Sequence, residues 1–268
     1  GVQSEGVGAC LKHFACNNQE YKRFSSNSVL DSRTLRELYL RGFELAVREG
    51  RPAAVMCAYN AVNGEHCSDS RALLTDILRG DWGFEGAVVT DWGATSDRVK
   101  GFKAGCDLMM PGGSRYMERD CLRALERGEL RRGELEACAA RVAALAEKYA
   151  PVAQDEGRDP GAEEAHALAR RAAESCAVLL KNEGGILPIR ERAGTLLIGD
   201  MAAHPRYQGS GSSHINPRRL TSAAGACPDL AWVQGCLGDG SAPGTLIDEA
   251  VRAARTAKTA VIFAGLPP

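Results

Sequence analysis

The feature that most constrains this chain is an alternation along its first 130 residues. Short apolar runs at 9–14, 53–57, 86–90 and 106–109 are each followed, after a polar connection, by a stretch of helical periodicity. Asp31 and Ser32 start a helix running to about Glu49, with Leu35, Leu38, Tyr39, Gly42 and Ala46 on one face, and Gly50-Arg51-Pro52 stops it. Further helices are expected at 70–79 (ended by Gly80), 96–104 and 114–127. Strand followed by helix, four times over with short connections, is the pattern of a parallel sheet. Four such units make half of an eight-stranded barrel, and a half alone leaves open strand edges. The expected fold class is α/β, the C-terminal half of a (β/α)8-type barrel, with the other half expected in a preceding segment rather than supplied by a partner.

A further helix rich in alanine and charge covers 134–149, and the prolines and glycines of 151–162 read as a linker. From 163 a second unit begins, with Ala165, Leu168, Ala169, Ala172, Ala173 and Cys176 at helical spacing. Strands are expected at 195–198 and 259–264 with a helix at 245–257 between them, as part of an α/β/α sandwich domain. The domain reading is therefore 1–150, a linker at 151–162, and 163–268.

With 33 basic and 34 acidic residues the formal net charge is -1, which gives nucleic acid no basic patch to bind. No apolar run approaches the roughly 18 residues of a membrane span. The ten cysteines contain no CxxC pair, and several, such as Cys57, sit inside apolar runs. They read as small buried hydrophobes in a reducing, cytoplasmic setting, not as a disulfide framework or zinc site. Nothing in the pattern asks for a metal or an organic cofactor, and oligomeric state has no signature.

Chemistry is expected where strands end, because the C-terminal face of such a sheet carries the reactive loops. In Gly86-Ala87-Val88-Val89-Thr90-Asp91-Trp92-Gly93 a carboxylate and an indole follow a buried strand. Asp91 is either a reacting group or the N-cap of the next helix. The other strand ends offer Lys12 and His13, then Met56 and Tyr59. Donors around one ionised carboxylate, with a flat aromatic surface for the C–H face of a sugar, suit glycoside chemistry. A phosphate site would need a glycine-rich turn feeding a helix N-terminus, and none stands beside Asp91. Blander readings exist for each: Lys12 as a solvated strand end, His13 as a core histidine, Met56 as packing, Arg23 as a solvated loop residue.

The strings KHFACNNQE (12–20), SRTLRELYLRGFE (32–44), VMCAYNAVNG (55–64), LLTDILRGDWGFEGAVVTDWGA (73–94) and GCDLMMPGG (105–113) resemble family 3 of the glycoside hydrolases. So do AVLLKNEGGILPI (177–189), QGSGSSH (208–214) and the strand VIFAGLP (261–267) in the second unit. The resemblance implies a retaining exo-glycosidase whose nucleophile matches Asp91. It implies that Lys12, His13 and Arg23 bind glycone hydroxyls, that Met56, Tyr59 and Trp92 line the pocket, and that Ser210 and Ser212 lie on a loop facing substrate. The family's acid/base glutamate is expected beyond Pro268, so residues 1–268 alone are expected to be inactive. KHF followed by Ala15-Cys16-Asn17-Asn18 argues against the N-acetylglucosaminidase branch, and Trp92 after the nucleophile argues against the xylosidase branch. The implied partner is a β-glucoside or oligosaccharide. A β-xylosidase or β-galactosidase specificity, or a non-catalytic sugar-binding protein of the same fold, are the alternatives.

Overall fold

A computed structural model of the chain describes residues 1–154, 161–209, 211 and 214–266. The chain divides into two compact units, Gly1–Gly161 and Ala162–Pro268. In the first, β1 (Cys10–Phe14) leads through β2 (Asn27–Ser28) to helix α1 (Ser32–Thr34). This widens into a π-helical stretch, Leu35–Tyr39, and continues as α2 (Arg41–Gly50). Then come β3 (Ala54–Cys57), the hairpin β4 (Ala61–Val62) and β5 (Glu65–His66), a π-helix at Ala72–Asp81, and β6 (Ala87–Thr90). Helices α3 (Arg98–Ala104), α4 (Arg115–Glu126) and α5 (Arg132–Gln154) follow.

The strands β1, β3 and β6 form a parallel sheet in that order, as the alternation requires. The cap expected at Asp31 forms, its side chain accepting from the Thr34 amide at 2.9 Å; Asp97, which the sequence reading did not single out, caps α3 by accepting from the Lys100 amide at 3.0 Å. Behind the sheet, Phe14, Val55, Leu74, Leu78 and Val88 are buried together, with the Phe14 ring edge-on to Phe43 and Trp82. Gly86 sits where a Cβ would collide with the Ala53 carbonyl, so the two strands enter the sheet at closest approach there.

Four expectations need correction. The helix expected to end at Gly80 runs on to Asp81, and its end is set by Trp82, which turns into the core, and by left-handed Gly83 (φ 72°). The run 106–109 is a single bridge, Val89 to Leu108, not a strand. Side chains take up the backbone groups that a ladder would use: Asp107 accepts from the Val88 amide, and Arg98 donates to the carbonyls of Cys106 and Asp107. The linker expected from 151 begins later, because α5 continues across Pro151 to Gln154; the residues 155–160 lie outside those described. Finally, 58–64 is not simply a loop. Asn63 and Gly64 both have positive φ (51° and 90°) and turn β4 back onto β5. The polar loop after β1 is pinned to that hairpin, through β2 pairing with β4 and the Asn63 amide holding both backbone groups of Leu30.

The second unit comprises α6 (Ala162–Cys176), β7 (Thr195–Ile198), α7 (Ala223–Ala226), β8 (Ala231–Val233), α8 (Gly244–Ala254) and β9 (Thr259–Ile262). Its sheet is parallel with order β8-β7-β9. The three residues of β8 gave too short a run to stand out in the sequence. Leu196 and Leu197 of the central strand and Ala250 of α8 are buried. None of the ten cysteines is in a disulfide; Cys16, Cys57, Cys67, Cys106 and Cys138 are buried. Among the described residues no helix is long and apolar enough to cross a membrane.

Candidate active site

The C-terminal ends of β1, β3 and β6 lie side by side, and the side chains that leave them converge. Between Leu11 and Phe14 the register of β1 against β3 shifts by one residue, so Lys12 and His13 are out of the ladder. His13 reaches across the end of β3 to β6, where its Nε2 lies 3.3 Å from Asp91 Oδ2. The carboxylate is 16% exposed and the imidazole 36%, which leaves both open to a ligand. Asp91 Oδ1 accepts from the Trp92 amide at 2.7 Å, so the carboxylate is fixed at both oxygens. It does not cap the following helix. Asp97 does that, which removes the blander reading of Asp91.

The turn after Asp91 is closed by backbone. Gly93 (φ 84°) adopts a left-handed conformation and donates to the Met110 carbonyl at 2.7 Å. The Ala94 amide returns to the Asp91 carbonyl at 3.0 Å. Tyr59, nearly buried, donates its hydroxyl to the Trp92 carbonyl at 2.9 Å. Burial, followed by the negative charge of Asp91, pushes the Tyr59 hydroxyl above the ordinary tyrosine range, so it remains a donor at neutral pH.

Arg23, in the loop after β1, lays its guanidinium over the Tyr59 ring at 4.5 Å and pairs with Glu20 at 2.6 Å. Phe24 also packs on Tyr59, with ring centroids 4.3 Å apart. Thus His13, Tyr59, Asp91 and Arg23 form one cluster, together with the Trp92 backbone. The Trp92 indole itself is 63% exposed and free to meet a ligand face. Lys12 is exposed and, among the described residues, its ammonium has no hydrogen bond or ion pair. Met56, half-buried, is paired in register with Val89. Ser210 and Ser212 lie outside the described residues. Glu20 and Phe24 were not singled out from sequence, although Glu20 closes the quoted KHFACNNQE string and Phe24 follows Arg23 directly. Among the described residues no group of three His, Cys, Asp or Glu is placed to hold a metal ion.

A parallel α/β sheet thus carries a hydrogen-bonded carboxylate, basic side chains and exposed aromatic surface at its C-terminal edge. The chain belongs to glycosyl hydrolase family 3: residues 1–145 match the family's N-terminal domain and residues 177–268 its C-terminal domain. It is 44% identical over its whole length to thermostable beta-glucosidase B of Acetivibrio thermocellus. It is 37% identical, again over its whole length, to an exo-alpha-(1->6)-L-arabinopyranosidase of Bifidobacterium breve. The crystal structure of a family 3 beta-glucosidase from Bifidobacterium adolescentis superposes on all of the chain with a TM-score of 0.89 at 39% identity. The chain spans 36% and 37% of the two relatives' lengths and 40% of the crystallised chain.

Proposed function

We propose that the protein to which these residues belong is a retaining exo-glycosidase acting on terminal β-D-glucosyl residues, with Asp91 as its nucleophile. The observation that carries this reading is the His13–Asp91 contact of 3.3 Å at the end of β6, with Tyr59 locked beneath the following turn. A retaining glycosidase needs one ionised carboxylate to attack the anomeric carbon, and a second carboxyl group about 5–5.5 Å away to protonate the leaving oxygen. Asp91 is held ready for the first role by the Trp92 amide and the imidazole. Lys12, His13 and Arg23 supply donors for glycone hydroxyls. Met56, Tyr59 and Trp92 supply the pocket wall. The second carboxyl group is proposed to come from elsewhere in the full-length protein. In the second step the same group would activate water, which releases the glycosyl unit from Asp91 with net retention.

In the same reading β1, β3, β6 and the Leu108 segment are four consecutive strands of a (β/α)8-type barrel, and the second unit is part of an α/β/α sandwich. The arabinopyranosidase relative favours a second specificity, an α-L-arabinopyranoside, because that name belongs to a protein 37% identical over the entire chain. The test is hydrolysis of p-nitrophenyl β-D-glucoside by the full-length protein and its Asp91→Asn variant, with the β-D-xyloside, β-D-galactoside and α-L-arabinopyranoside run beside it. The glucoside is expected to be the best substrate, and the variant to lose about a thousandfold or more in kcat, the range seen when a reacting group is removed. Unchanged turnover by the variant defeats the assignment.

A further inference from the structure

Arg23 is a loop residue with a long side chain, and something must hold it. Its guanidinium has five N–H donors in a planar fork, and about 2 kcal/mol of rotamer freedom to lose on being fixed. Two contacts define where it stands. The Tyr59 ring lies under its face at 4.5 Å, and Glu20 Oε2 accepts from Nη1 at 2.6 Å. Glu20 is itself placed. The backbone turns between Glu20 and Arg23, with the Arg23 amide on the Glu20 carbonyl at 3.2 Å, so both side chains leave on the same side. The other carboxylate oxygen, Oε1, accepts from Asn17 Nδ2 at 3.3 Å. Among the described residues Glu20 is the one side-chain acceptor in hydrogen-bond reach of Arg23, and the rest of the fork is open.

The Asp91 carboxylate belongs to the same cluster, since its charge, like those of Arg23 and Glu20, acts on the Tyr59 hydroxyl. Held by Glu20, the guanidinium stays flat on Tyr59 and presents its open edge to a ligand's hydroxyls.

We propose that Glu20 is a positioning residue: bridging Asn17 and Arg23, it fixes the guanidinium on the Tyr59 ring and orients it toward the glycone. This rests on the reading of Asp91 as nucleophile given above. It assigns to Glu20 no contact with substrate, so its effect must pass wholly through Arg23.

That dependence sets the experiment, done on the full-length protein with p-nitrophenyl β-D-glucoside. Glu20→Ala is expected to raise KM about tenfold while kcat falls about twofold, because ground-state and transition-state binding are weakened alike. Glu20→Gln, which keeps an acceptor but not the charge, should fall between Glu20→Ala and the parent. Arg23→Ala should raise KM at least as much, and adding Glu20→Ala to it should change KM by less than about twofold, the non-additivity of residues acting in series. A wild-type KM in Glu20→Ala overturns the proposal. So does a full additional KM effect of Glu20→Ala in the Arg23→Ala background, since Glu20 would then act independently. The Asp91→Asn variant separates the two readings. If it is inactive and Glu20→Ala is silent, only the positioning role is lost; if it remains fully active, the nucleophile assignment itself has failed.

Discussion

The carboxylate of Asp107 is completely buried, and its removal strikes at a buried network of the first unit. Oδ2 accepts from Arg79 Nη2 at 2.8 Å and from the Val88 amide at 2.7 Å. Oδ1 accepts from Arg141 Nε at 2.9 Å and lies 2.8 Å from Arg141 Nη2. One acid thus joins the π-helix, the start of β6 and the long helix α5. Deleting one partner of a buried ion pair costs about 3–5 kcal/mol, because the charges left behind are uncompensated. Here two arginines would lose their counter-charge and a strand amide its acceptor. Arg141 is a quarter exposed and can relax into water, which places Asp107→Ala toward the lower end of that range. For a unit of this size, 3 kcal/mol lowers the melting midpoint by about 6–12 °C. The assay is calorimetric melting of the full-length protein, read at the transition of this unit, together with hydrogen exchange of the peptide carrying the Val88 amide. That amide should exchange roughly 100-fold faster in the variant, the factor equivalent to about 3 kcal/mol. Replacing all three charges by residues of similar volume (Arg79→Met, Asp107→Leu, Arg141→Met) should recover most of the loss, since no charge is then left buried and alone. A midpoint within about 1 °C of the parent, with unaltered Val88 exchange, refutes the reasoning.

Three further outcomes follow from the structure. Tyr59→Phe keeps the ring beneath Arg23 but leaves the Trp92 carbonyl without its donor. It should lower kcat/KM by about 10-fold, from an unmade hydrogen bond of roughly 1–2 kcal/mol, with little change in melting; activity equal to the parent contradicts the role given to the hydroxyl. Burial pushes the Cys67 thiol up to about 12 and the Cys16 thiol up to about 11. Both protons are therefore retained in the folded state at pH values where the unfolded chain has lost them, so stability should fall as pH rises from about 9 toward those values. At pH 8 a thiol reagent should modify the exposed Cys10 and Cys176 quickly, and Cys16, Cys57 and Cys67 only after denaturation; rapid native labelling of Cys67 would contradict its burial.

The parallel sheet and the carboxylate at its edge were legible because they depend on local signals: β-branched runs, the capping Asp31 and a strand that ends in Asp91. What escaped depends on side chains replacing backbone. The bridge at Leu108 reads as a strand in sequence, but Asp107 and Arg98 occupy the hydrogen bonds a longer ladder would use. The hairpin of β4 and β5 carries its signal in Asn63-Gly64, yet two-residue strands are too short for any alternation to show. Nor could the sequence indicate that Arg23 stacks on Tyr59, 36 residues along the chain, because the loop is seated by β2 and Asn63 rather than by its own composition.

The most direct test treats the full-length protein with a 2-deoxy-2-fluoro-β-D-glucoside bearing a good leaving group, then maps the trapped adduct by peptide mass spectrometry. The account predicts one fluoroglucosyl group on the carboxylate of Asp91, with release of leaving group equal to enzyme. An adduct on any other residue, or steady turnover with no adduct, contradicts it.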